Sequence, residues 1–211
     1  MKSSKPFAFV LWVDDDRLPK YVAERVKCLQ HFDYFHYIRH EAEQERPNIL
    51  KRATKQKPKP HYHCALHFRK ATDYETMLIS IVNGWTRQDQ ALVDKYGQLP
   101  FTFARTHEGK INNLSTWLAY VVHDSRYMAY IESHCDRPET YKTAYTWDDV
   151  KSTDYDILEA QVQNAVAFID KCDQAANSFE HAKELGEEEV RLAEVKRAMI
   201  VGFGLLFCGP L

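Results

Sequence analysis

Two histidines separated by one residue, His61 and His63, are the first candidates for chemistry in this sequence. They lie in a run that favours a β-strand, in which successive side chains point to opposite faces. His61 and His63 should therefore share one face, while Tyr62, Cys64 and Leu66 face a core on the other. Two adjacent imidazoles can bind a divalent metal. They can equally be hydrogen-bonded residues on a hydrated sheet face.

Further metal donors lie upstream of the histidine pair. Residues 34–43 predict a strand that runs out into a loop carrying His40 and Glu43. With His61 and His63 they would supply three nitrogens and one oxygen, which suits Mn²⁺, Zn²⁺ or Ni²⁺ better than Mg²⁺. The alternative interpretation of His40 and Glu43 is a solvated loop end.

A basic segment connects these two motifs. Residues 46–72 contain eight lysines and arginines and no acidic residue. Such a segment can neutralise several phosphates of a nucleic acid, and its binding should then depend steeply on salt. Its alternative is a merely solvated surface. The candidate DNA-binding residues are Lys51, Arg52, Lys55, Lys57 and Lys59.

Tyr120 lies downstream of the histidine pair, in residues 112–125, which predict a helix capped by Asn112 or Asn113. Tyr120 falls off the centre of that helix's apolar stripe, so its hydroxyl can leave the core. A phenol has a pKa of about 10 and needs a metal or a base to react at neutral pH. The other interpretation is an ordinary half-buried aromatic residue. The stripe consists of Leu114, Trp117, Leu118 and Val121.

Taken in order, these motifs resemble those of the RepB-type plasmid rolling-circle replication initiators of the HUH endonuclease superfamily. In that family a loop His-x-x-acid pair comes first, a His-hydrophobic-His strand second, and a Tyr-x-x-His helix third. The corresponding segments here are His40 to Glu43, His61 to His63, and Tyr120 to His123. Glu43 stands where an aspartate is familiar, and Tyr62 fills the middle of the histidine pair.

The resemblance implies a metal-dependent endonuclease and strand transferase that nicks and rejoins plasmid origin DNA. Tyr120 would attack a DNA phosphate, leaving a 5′-phosphotyrosyl link and a free 3′-hydroxyl for rolling-circle replication. A divalent metal, Mn²⁺ or else Mg²⁺, would act as a Lewis acid. Its implied ligands are His40, Glu43, His61 and His63. The implied partners are the origin, as a double-stranded binding site and a single-stranded nick site, host replication proteins and further copies of the chain.

The resemblance also bears on the number of nucleophiles. Relatives with two tyrosines carry them one helical turn apart, and here that position is Asp124. The chain therefore resembles the single-tyrosine kind, with Tyr127 and Tyr130 as reserves. Asp124 is a candidate for activating the water that ends the cycle. The alternative identity of Asp124 is a surface carboxylate.

The predicted fold class is α+β, an antiparallel sheet flanked by helices that is HUH endonuclease-like, with a small C-terminal all-α domain. Residues 1–150 hold 22 Lys/Arg against 19 Asp/Glu, whereas residues 151–211 hold 6 against 11. We therefore predict an origin-binding endonuclease domain over 1–150 and a helical oligomerisation domain over 151–211. The strands are predicted at 7–13, 32–39, 61–68 and 101–105, and the helices at 18–29, 77–82, 112–125 and 157–169.

The cysteines and the apolar runs indicate the cellular compartment. The five cysteines are odd in number and form no Cys-x-x-Cys pair, which favours neither a disulfide framework nor a zinc knuckle and fits a reducing cytoplasm. The apolar runs at 7–12 and 199–208 are too short for a signal peptide or a membrane span, so no membrane partner is expected.

Other functions share these motifs. A mobilisation relaxase or transposase of the same superfamily is a close alternative. A non-catalytic origin-binding or copy-control protein and a metal hydrolase of small molecules are the alternatives from other classes. Cleavage of a supercoiled origin plasmid would separate the replication initiator from these alternatives.

Overall fold

A computed structural model describes residues 5–13, 15–41, 60–73, 76–77, 79, 81, 90–97, 101–103, 111–134 and 145–184. These residues form an antiparallel sheet with flanking helices, so the predicted α+β class is confirmed. The strands are β1 (Phe7–Leu11), β2 (Phe32–His40), β3 (His61–Phe68), β4 (Phe101–Phe103) and β5 (Lys151–Ser152). The helices are α1 (Arg17–Lys27), α2 (Gln90–Tyr96), α3 (Leu114–Val121), α4 (Ser125–His134) and α5 (Tyr155–Glu184), with a 3₁₀ turn at Trp147–Asp149.

The sheet has the strand order β4-β1-β3-β2-β5, and its neighbouring strands are antiparallel. β3 lies between β1 and β2, which consequently run parallel to each other and are joined through α1. This is the split β-α-β arrangement. It places the histidine-containing strand β3 in the middle of the sheet, with the end of β2 directly beside its start.

One face of the sheet carries a hydrophobic core. Phe7, Phe9 and Leu11 of β1 are buried there and lie opposite Leu66, Cys64 and Tyr62 of β3. α1 contributes a buried stripe of Leu18, Val22 and Val26, spaced by four residues, to the same core. Each such fully buried side chain contributes about 1.5–3 kcal/mol to folding. The alternation of β3 and the amphipathic α1 thus fix which face of the sheet is left for the histidines.

The helix ends show which local signals act. Asn113 caps α3 as expected, because its side-chain oxygen accepts hydrogen bonds from the backbone N–H of Ser115 and Thr116. Asp73 caps the helical turn that follows it, because its Oδ1 accepts a hydrogen bond from the Thr76 N–H at 2.7 Å.

α3 is shorter than the predicted helix over 112–125. It ends at Val121, and His123 takes a left-handed backbone conformation with φ of 50°. Left-handed residues of this kind commonly follow the last turn of a helix. Asp124 then begins α4. The predicted stripe of α3 is partly right, since Leu118 and Val121 are fully buried while Leu114 and Trp117 are half-buried.

The chain divides into two compact units. The first contains residues 1–111 and 148–158, and the second contains 112–147 and 159–211. The sheet, α1 and α2 belong to the first unit; α3, α4 and most of α5 belong to the second. These bounds differ from a division at residue 150. An oligomerisation domain over 151–211 stays a prediction, because residues 185–211 lie outside the described residues.

Within the described ranges, no helix combines the length and the apolar character that a membrane span requires.

Candidate metal centre

Three histidines from two neighbouring strands converge on one face of the sheet. His40 is the last residue of β2, and its backbone is paired with that of His61, the first residue of β3. Residues opposite each other in antiparallel strands point to the same face. His63 lies two residues further along β3 and so points the same way. The sequence placed His40 in a loop, but the pairing with β3 extends β2 by one residue to include it.

The ring nitrogens of these histidines are close enough to share one ion. One nitrogen from each of His40, His61 and His63 lies within 4.8 Å of the others, and the His61 and His63 Nε2 atoms are 3.1 Å apart. Two nitrogens bound to the same cation at 2.0–2.1 Å would be separated by roughly 3 Å. The residues present therefore fit a divalent metal. The same 3.1 Å also suits a hydrogen bond between the two rings.

Burial sets this cluster apart from surface histidines. His40 and His61 are 1% and 3% exposed, whereas His63 is partly exposed. The rings of His40 and His63 are 4.4 Å apart between centroids, at an angle of 60°. The cluster is therefore buried on the side of His40 and His61 and accessible to solvent on the side of His63.

The residues between the histidines face the core, as the alternation predicted. Tyr62 and Cys64 are 2% and 0% exposed and belong to the hydrophobic cluster. Burial raises the pKa of the Cys64 thiol well above its ordinary value, and the side chain lies in the core on the face opposite the histidines. Burial likewise raises the pKa of the Tyr62 phenol.

Other histidines on the same strands are engaged elsewhere. His67 lies 2.8 Å from Asp33, which also accepts a hydrogen bond from Arg69. Burial alone would raise the pKa of Asp33, but the hydrogen bonds from Arg69 and His67 outweigh it and hold that pKa below its ordinary value. His36 contacts the Ser152 hydroxyl at 2.8 Å. Among the described residues, only His40, His61 and His63 form a group that can hold a metal.

Several predicted site residues lie outside the described residues. They are the proposed fourth ligand Glu43 and the candidate DNA-binding residues Lys51, Arg52, Lys55, Lys57 and Lys59. Their roles stay predictions.

Tyr120 lies in the second unit, in the last turn of α3. It is half-buried, packs at the edge of a cluster formed by α3, α4 and α5, and has its ring edge-on to His123 at 5.9 Å between centroids. The reserve residues Tyr127 and Tyr130 are only 5% and 7% exposed. Burial raises the pKa of Tyr130 to about 12, which makes it a poorer nucleophile. Tyr120 is thus the most exposed of the three tyrosines.

Asp124 has a structural role in the described residues. Its carboxylate accepts hydrogen bonds from the backbone N–H groups of Arg126 and Tyr127, which is the geometry of a helix N-cap. It also pairs with the Arg126 guanidinium at 3.3 Å. The expectation that Asp124 shares a helix face with Tyr120 is wrong, because α3 ends before Asp124.

The sequence did not single out Trp12, which lies next to the metal candidates. Its ring is 4.9 Å from that of His61 between centroids, and 47% of the residue is exposed. The sequence could have indicated this position, because Trp12 follows the core residue Leu11 and strand alternation then points Trp12 to the same face as the histidines.

Comparison of the chain with protein-family models, curated proteins and solved structures found no match.

Proposed function

We propose that this chain is a metal-dependent nicking and joining enzyme that starts plasmid rolling-circle replication at a specific DNA origin. The observation that carries the proposal is the convergence of His40, His61 and His63 within 4.8 Å on one sheet face. The order of the three sequence motifs links that cluster to phosphoryl transfer by a tyrosine. In this proposal the sheet is of the HUH endonuclease type.

His40, His61 and His63 would hold the cation, with Glu43 as the proposed fourth ligand. When bound, a divalent cation supplies Lewis-acid stabilisation of charge on a phosphate oxygen. We take Mn²⁺ as the working ion, because a nitrogen-rich ligand set suits it better than Mg²⁺. The partly exposed His63 gives the phosphate oxygen a route to this ion.

The Tyr120 hydroxyl would supply the nucleophile. Its oxygen forms a bond to phosphorus while the bond from phosphorus to the 3′-oxygen breaks, and the departing oxygen takes up a proton to become a free 3′-hydroxyl. The protein is left joined to the 5′-phosphate. His123, whose ring is edge-on to Tyr120, is a candidate acceptor for the phenolic proton. Reversal of the same step rejoins the strand.

The DNA-binding segment, the partners and the oligomerisation domain of this proposal are those expected from the sequence. The basic segment between β2 and β3 would bind the double-stranded part of the origin in the cytoplasm, and host replication proteins would extend the 3′-hydroxyl. Residues 151–211 would form a helical domain that joins copies of the chain. Sedimentation of the full chain should then give a mass above 24.7 kDa.

A covalent-adduct assay tests the nucleophile. Incubation with labelled single-stranded origin DNA and Mn²⁺ should give a protein–DNA species that survives denaturation, and Tyr120→Phe should abolish it because the attacking oxygen is gone. Tyr127→Phe is the matched control and should retain the adduct. An adduct that persists in Tyr120→Phe would move the role to another tyrosine. No adduct with the wild-type chain would favour a non-catalytic origin-binding protein.

A further inference from the structure

Trp12 extends the row of histidines by one strand. In the antiparallel register of β1 and β3, Leu11 lies opposite Tyr62. Trp12 follows Leu11 and His61 precedes Tyr62, so Trp12 lies beside His61. The two rings are 4.9 Å apart between centroids and tilted by 34°. Since His61 is in turn paired with His40, the three side chains form one line across β1, β3 and β2 at the same end of the sheet.

The exposure of Trp12 contrasts with that of its neighbour. Trp12 is 47% exposed, whereas His61 is 3% exposed. Among the described residues, the other exposed large hydrophobic side chains are Ile79 and Tyr155. A single exposed apolar residue is ordinary on a protein surface. Trp12 differs because its ring is in contact with a histidine of the metal cluster.

We propose that Trp12 is a stacking platform for a base of single-stranded DNA, next to the phosphate that is bound at the histidine cluster. The inference rests on the proposed function and names a positioning residue for its substrate. An indole offers a broad aromatic face, and stacking on aromatic side chains is a main source of affinity for single strands. The base faces of duplex DNA are already covered by their neighbours, so only an unpaired nucleotide can use this platform.

The described carboxylates next to Trp12 in the chain are paired with cations. Asp14, Asp15 and Asp16 follow Trp12 and would repel phosphate if they were uncompensated, and Asp14 lies outside the described residues. Asp15 is paired with Arg17 at 2.6 Å and with Lys95 at 3.2 Å. Asp16 is paired with Lys20 at 2.6 Å.

The test is binding of fluorescein-labelled oligothymidylate, followed by fluorescence anisotropy with chelator present. Under these conditions neither the metal nor strand cleavage contributes. Trp12→Ala should weaken binding by about 10-fold or more, and Trp12→Phe should weaken it less because a ring is retained. The matched control is Tyr155→Ala, which removes another exposed aromatic of the first unit and should leave the affinity unchanged.

A second oligonucleotide shows whether the base is the partner. An abasic strand of the same length keeps the phosphates but offers nothing to stack, so wild type and Trp12→Ala should bind it equally. Equal binding of oligothymidylate by both proteins would overturn the inference, as would an absence of any binding by the wild type. Loss of affinity in Trp12→Ala without any nicking by the wild type would overturn the proposed function alone. Normal nicking with unchanged binding in Trp12→Ala would overturn only the role of Trp12.

Discussion

Whether a histidine is available as a metal ligand depends on the side chains around it. His61 and His67 lie on the same strand and the same face, separated by six residues. His67 is engaged by the carboxylate of Asp33 at 2.8 Å, whereas His61 has ring nitrogens of two other histidines within 4.8 Å. The first arrangement holds an imidazole in place, and the second offers several nitrogen donors to one cation.

This contrast gives a prediction with an internal control. His61→Ala should weaken Mn²⁺ binding by at least about 10-fold, since the loss of a ligand costs no less than the loss of a residue that supports one. His67→Ala removes an imidazole from the same strand and should leave the Mn²⁺ affinity within about 2-fold of the wild type, because Asp33 and Arg69 lie at the opposite end of the β2–β3 pair from the cluster. Titration calorimetry in chelator-free buffer measures both. Equal affinities for wild type and His61→Ala would remove the cluster as a metal site.

A second prediction at the scale of single residues concerns pH. Hydrogen bonds from Arg17 above all hold the pKa of Asp15 well below its ordinary value. The stability from this carboxylate is therefore present above the unfolded-state pKa of about 3.9 and is lost as the pH falls through the lower folded-state pKa. Asp15→Asn should cost about 1 kcal/mol at pH 7, a small value because Arg17 and Lys95 are largely solvated.

Urea denaturation at pH 7 and at pH 3 checks this expectation. The difference between wild type and Asp15→Asn should shrink at the lower pH, since the carboxyl of the unfolded wild-type chain is then mostly protonated. Glu24→Gln is the control, because in the described part of the chain Glu24 forms an ion pair with the exposed Lys27 of its own helix, and its loss should change stability little at either pH. A difference for Asp15→Asn that is independent of pH would show that the ion pairs do not stabilise the fold.

At the scale of elements, local patterns predicted more than long-range pairing did. The alternation in β3 and the four-residue spacing in α1 depend on neighbours in sequence. β3 is confirmed at its predicted bounds, and α1 is confirmed with shifts of one and two residues at its ends. That β3 lies between β1 and β2 follows from contacts between distant residues, which no short window contains. The pairing of β2 with β3 also explains why His40, predicted in a loop, lies in a strand next to His61.

The break between α3 and α4 shows that a local pattern can also mislead. An apolar stripe over 112–125 indicated one helix, but Asp124 is a strong N-cap and competes with continuation of the helix. His123 takes up the turn with a φ of 50°. Asp124 is a residue type that favours N-caps, but the prediction gave more weight to the apolar periodicity of residues 112–125. Tyr120 was predicted past the middle of a long helix, and it lies in the last turn of a short one.

Asp124 therefore gives a prediction for this element. Asp124→Ala should destabilise the protein by about 1–2 kcal/mol, because two backbone N–H groups lose their acceptor. Asp124→Asn should cost less than about 0.5 kcal/mol, since asparagine caps as well and the lost ion pair involves a solvated Arg126. Urea denaturation gives both values. Normal stability of Asp124→Asn with loss of repeated nicking cycles would restore Asp124 as a catalytic group.

At the scale of the whole molecule, the proposed metal ligands and the proposed nucleophile belong to different units. The first unit holds the histidine cluster and Trp12, and the second holds Tyr120 and the cluster formed by α3, α4 and α5. A cut at residue 150 would remove β5 from the edge of β2 and Ile169 and Cys172 from the surroundings of Tyr120. Activity is therefore expected of the full chain rather than of residues 1–150 alone.

The most direct test of the proposed function is cleavage of a supercoiled plasmid carrying the cognate origin. With the full chain and Mn²⁺, the account predicts conversion to the open circular form and a nick at one position. Excess chelator or His61→Ala should abolish this conversion, and His67→Ala should preserve it. A plasmid that stays supercoiled with the wild-type chain and Mn²⁺, or one that is nicked equally well in excess chelator, would contradict the account.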